Sequence, residues 1–178
     1  MSVKQILFNN IAKIAKKNTD KILDNTITQA KSNNLQVSYT GIYNQATEVE
    51  GSLEMPVPFV IAQNAEQATM LKKGTLVGRI YDLGRFASII GTITPREIEF
   101  IKKYITKSIP NKQRSKLRKL RNILEPKYKG RPLLNPAIIK YQGQSTDGGQ
   151  TYTGNWNFTS KTADMATKGS FEMSKNIL

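Results

Sequence analysis

Hydrophobic positions set the first reading of this chain. Val3, Ile6, Leu7, Ile11, Ile14 and Ala15 recur at three- and four-residue spacing, with lysines between them. That period predicts an amphipathic helix over 3–30. Ile22, Leu23 and Ile27 resume the stripe after Asn18-Thr19-Asp20, a triplet suited to break the helix and cap a second piece, and Ser32-Asn33-Asn34 ends it. Leu35, Val37 and Tyr39 then alternate with polar residues, which is a strand period. Met55 to Ile61 is apolar, but Pro56 and Pro58 cannot donate ladder hydrogen bonds, so the segment is expected at a sheet edge or in extended coil. Residues 65–71 suit a short helix. Residues 75–81 and 86–93 suit two strands joined at Gly84 as a hairpin.

Thr94-Pro95-Arg96-Glu97 has the form of a helix start, with Thr94 and Glu97 as a capping box and Pro95 in the first turn. It predicts a helix to about residue 107. A second helix is expected over 111–124, where Leu117, Leu120, Ile123 and Leu124 form a narrow stripe. Pro126, Pro132 and Pro136 interrupt regular structure after it. Residues 137–143 and 150–159 suit a hairpin around the turn signal Ser145 to Gly149. Residues 160–178 are small, polar and unpatterned, and are expected to be disordered alone. The expected class is α+β: a small, mostly antiparallel β body, an N-terminal amphipathic helix, a basic helical pair and an extended C-terminal arm with a hairpin. The expected boundaries are 1–34, 35–93, 94–125 and 126–178.

Charge changes this picture. The 178 residues carry 27 Lys and Arg against 13 Asp and Glu, a net charge of +14. Most of the excess lies in 102–131, with 12 basic residues and only Glu125 acidic. Residues 32–70 instead hold no base and four acids, Glu48, Glu50, Glu54 and Glu66. Lys112, Arg114, Lys116, Arg118, Lys119 and Arg121 are the candidate binding residues, for phosphate or an acidic protein face. No aromatic is interleaved between 105 and 127, so the block offers no base-stacking platform, which tilts the reading toward a protein partner. Tyr152, Trp156 and Phe158 alternate in the last hairpin, as one buried face or as contacts of an assembly arm.

Histidine and cysteine are both absent. That excludes Ser-His-Asp and Cys-His catalysis within the chain, disulfides, and Cys- or His-ligated metals. Glu48, Glu50, Glu54, Glu97 and Glu99 read as solvated charge, and no glycine set fits a phosphate-cradling loop. No catalytic residue, cofactor or metal site is expected. No stretch is apolar enough for a membrane span or a secretory signal. The N-terminal helix suits packing against a core or partner helix better than a membrane surface, lacking an aromatic anchor beyond Phe8.

In composition and layout the chain resembles tailed-phage virion proteins: rich in Asn, Lys, Ile and Thr, with a small α+β body, a helix and a polar arm. The resemblance rests on no residue motif. It implies a non-enzymatic structural subunit of a connector, neck, tail or baseplate, homo-oligomeric, located in the virion, binding other subunits of the same assembly through its arm and its charged faces. The competing expectation is a cytoplasmic nucleic-acid-binding protein of ribosomal or packaging type, using the basic helix.

Overall fold

Eight antiparallel strands, each hydrogen-bonded to the next and the last to the first, close into a barrel. The computed structural model describes residues 3–45, 55–82, 84–104, 119, 138–158 and 168–176. The order is α1 (Val3–Lys17), α2 (Thr19–Ser32), β1 (Gln36–Gln45), β2 (Met55–Gln63), α3 (Ala65–Lys72), β3 (Thr75–Asp82), β4 (Arg85–Ile93), β5 (Glu97–Tyr104), β6 (Ile138–Gln144), β7 (Thr151–Phe158) and β8 (Lys168–Lys175). Closure comes from β8 pairing with β1, Tyr39 opposite Lys175 and Tyr43 opposite Phe171. The α+β class and the antiparallel body stand, with helices leading into the barrel.

Alternation fills the interior. Leu76 and Ile80 on β3, Ile98 and Phe100 on β5, Tyr141 on β6 and Met173 on β8 belong to one buried cluster. Phe100 stacks on Tyr141 with ring centroids 4.6 Å apart, and Phe171 meets Tyr141 edge-on at 5.3 Å. The centre is crowded enough to require a glycine: a Cβ at Gly41 would lie 2.6 Å from the Phe59 ring and 2.8 Å from the Met173 Cβ. This is a packed small barrel, held by close contact among aromatic and branched side chains.

The helical break falls where the polar triplet places it, at Asn18 between α1 and α2. The β3–β4 hairpin turns at Gly84, whose φ of 74° is left-handed. Pro56 and Pro58 sit in β2, which is inside the closed sheet rather than at an edge. Pairing of β2 with β3 begins only at Phe59, so both prolines have a ladder neighbour on the β1 side alone. The missing donors are therefore tolerated.

Two expectations are overturned. Residues 97–104 are strand β5, not helix. Thr94 Oγ1 does accept from the Glu97 amide, at 3.1 Å, as a cap would. The Thr94 amide, however, donates to the Glu97 carbonyl at 2.9 Å, which makes a tight reversal between β4 and β5. Ladder pairing on both sides, to β4 and β6, then outweighs the local helical signal. The extended C-terminal arm is also wrong. β6, β7 and β8 are barrel wall, and 168–175 is a paired strand instead of a disordered tail. Phe171 and Met173, buried on the inner face, supply the apolar contact that holds it there. The second expected helix, 111–124, lies outside the described residues except for Lys119.

Candidate interaction surface

Helices α1 and α2 both lie against the barrel near β2, but they dock differently. Helix α2 turns Leu23, Ile27 and the buried Ala30 onto Val60, Ala62 and Tyr81, which point outward from β2 and β3. Its apolar stripe is covered within the chain. Helix α1 instead has Ala12 buried, with Gln5, Asn9 and Ala15 half-buried beside it. Five of its large apolar residues face solvent: Val3 is 84% exposed, Leu7 55% and Ile14 62%, with Ile6 and Ile11 also exposed. At 100° per residue, Val3, Leu7, Ile11 and Ile14 form one stripe, and Ala12 lies on the far side from it. Lys13, Lys16 and Lys17 flank the C-terminal half, and the helix contains no acid.

A smaller apolar patch lies on the outer wall. Ile90 of β4 is cross-strand partner to Ile101 of β5, and both are exposed, as is Ile138 of β6. Lys140 stands opposite Ile101 and reaches Glu99 at 3.1 Å. Glu99 also accepts from Gln142 at 2.9 Å. These two hydrogen bonds hold the Glu99 carboxyl below its ordinary range, the Gln142 bond most.

Inside the barrel, Asp82 and Lys102 form a buried ion pair, and Tyr43 donates to the same Asp82 oxygen at 3.1 Å. Asp82 is in phase with the inward Leu76 and Ile80, and Lys102 with Ile98 and Phe100. A charge on the inward phase of a strand was the available signal, hidden while 97–104 read as helix. Tyr39 is also buried; burial, then the neighbouring Tyr152, pushes its hydroxyl up to about 12.

Of the candidate residues read from sequence, Tyr152 and Trp156 are inside the barrel. Tyr152 donates to the Thr94 carbonyl at 2.6 Å and Trp156 to the Asn44 carbonyl at 3.2 Å. Phe158 ends β7 opposite Ile139. Lys112, Arg114, Lys116, Arg118 and Arg121 lie outside the described residues, as do Glu48, Glu50 and Glu54; Lys119 is exposed. The strand ends that flank these segments, at Gln45, Met55, Tyr104 and Ile138, fall at one barrel rim, shared with the Gly84 turn. Among the described residues no group of three or more acids has metal-holding geometry, and no described helix is long and apolar enough to cross a membrane. The chain matches no protein-family model, and no curated protein is significantly similar to it.

Proposed function

We propose that this chain is a non-enzymatic structural subunit of a large symmetric assembly, of the kind found in tailed-phage connectors, necks, tails or baseplates. The observation that carries the reading is the outward apolar face of α1. A stripe of that size on a soluble surface marks a contact site. Closure of the barrel leaves no free strand edge among its eight strands, which disfavours association by strand addition and leaves helix-in-groove docking. Four lysines and no acid on α1 disfavour pairing of two α1 helices with each other. They favour a neighbour's apolar groove with an acidic rim, and residues 32–70, net −4, offer that sign on another copy. Such a contact is head-to-tail, and it builds a ring where the rotation between copies closes.

The test is the native mass of the purified full chain, by native mass spectrometry or sedimentation, with and without Leu7→Asp plus Ile14→Asp. Wild type should form a defined oligomer and the double variant should fall to monomer with unchanged far-UV circular dichroism. An identical assembly from both would remove the proposal.

A second reading is favoured by the charge of 105–137, ten bases against one acid. Here the block contacts nucleic-acid phosphate. Replacing Arg114, Arg118 and Arg121 with Gln should then reduce nonspecific DNA affinity, and the salt slope should shrink by about 0.9 per lost contact. If protein is the partner, DNA binding is weak from the start.

A further inference from the structure

Lys102 and Asp82 are 1% and 0% exposed, as deep as the aromatic core around them. Asp82 ends β3, Lys102 lies on β5, and β4 runs between them. Two other residues address the pair. The Tyr43 hydroxyl donates to Asp82 Oδ2, the oxygen that Lys102 also contacts. The Tyr43 ring centroid is 5.3 Å from the Lys102 nitrogen. Arg85, half exposed at the barrel rim, brings its Nε within 3.9 Å of the other oxygen, Oδ1.

Removing two charges from water is costly, and their mutual attraction often fails to offset it. Burial lowers the Lys102 pKa, with the Asp82 charge opposing, and so favours the free amine, the nucleophilic form. The two carboxylate oxygens are also differentiated. Oδ2 faces the two proton donors, and Oδ1 faces a fixed positive charge. That is the division a condensation needs: one oxygen to leave as water, one to carry negative charge in the tetrahedral intermediate.

We propose that Lys102 and Asp82 condense spontaneously in the folded barrel into an intramolecular isopeptide bond. A proton passes from the Lys102 ammonium to Oδ2, leaving an amine and a carboxylic acid. Nζ attacks Cγ, and the developing charge rests on Oδ1 beside Arg85. Tyr43 gives its proton to Oδ2 and regains one from Nζ. The Cγ–Oδ2 bond breaks and water leaves. An ammonium and a carboxylate become an amide and one water, with no oxidant, cofactor or second substrate. The product is neutral, so the apolar site favours it over the ion pair, and it ties β3 to β5 across β4.

Intact mass of the purified, denatured full chain decides the matter, with tandem mass spectrometry of its tryptic peptides. The expected result is the sequence mass less one water, and a branched peptide joining the Asp82 and Lys102 segments. Cleavage after Lys102 should be lost, while cleavage after Lys103 persists. Tyr43→Phe should slow the water loss, and Lys102→Met should restore the full mass. A wild-type chain at full mass, with an ordinary peptide ending at Lys102, overturns the proposal whether or not either variant folds. Asp147-Gly148 is a second place where a chain loses water, by succinimide formation. A deficit mapped to Asp147 alone therefore also overturns it.

Discussion

Helices α1 and α2 are near twins in sequence design and opposites in placement. Each has an apolar stripe at helical spacing and a lysine-bearing polar face, and each touches the barrel. In α2 the stripe meets Val60, Ala62 and Tyr81, and the lysines stay in water. In α1 the stripe is in water, and the small Ala12 is the residue that is buried. Amphipathicity states that a helix has a partner to find. It does not state that the partner belongs to the same chain.

Three substitutions test that contrast. Ala30→Asp places an unpaired charge under α2, where no solvent reaches. It should cost about 3–5 kcal/mol, read as a drop in denaturant midpoint. A smaller change, Ile27→Ala on the same face, should cost about 2 kcal/mol, since Ile27 is only partly buried. The matching change in α1, Ile14→Ala, should alter monomer stability by less than about 0.5 kcal/mol, because Ile14 packs on little. If Ile14→Ala costs as much as Ile27→Ala in a monomeric sample, the two helices dock alike and the contrast fails.

Much of the architecture could be read locally. The break at Asn18, the turn at Gly84, the hairpin across Ser145 to Gly149 and the helix of 65–72 each have their own chemistry. Asp147 accepts from the Gln150 and Thr151 amides, for example, and Ser145 donates to it. Those bonds keep its carboxyl below the usual range, the Thr151 amide most. Two features could not be read this way. Glu97 to Tyr104 satisfies both periods, since Ile98, Phe100 and Ile101 fit a helix stripe while Ile98, Phe100 and Lys102 fit an inward strand face. Only pairing with β4 and β6 decides between them. β8 shows two inward apolar residues, Phe171 and Met173, too few to announce a strand without β1 and β7 beside them. The candidate surface was half legible: the stripe of α1 was plain, and its outward direction was not.

Closure by β8 has a consequence for synthesis. β1 leaves the ribosome before the other strands, and its partner on one side, β2, follows next. Its other partner is made last, with Tyr39 waiting for Lys175. Hairpins along the meander zip locally as they appear, but the seam between first and last strands is a long-range closure that comes late. Until β8 is made, the nascent sheet therefore carries an open flank at β1 and another at its growing end, each a template for pairing with a neighbouring chain. The barrel's freedom from edges belongs to the finished molecule alone.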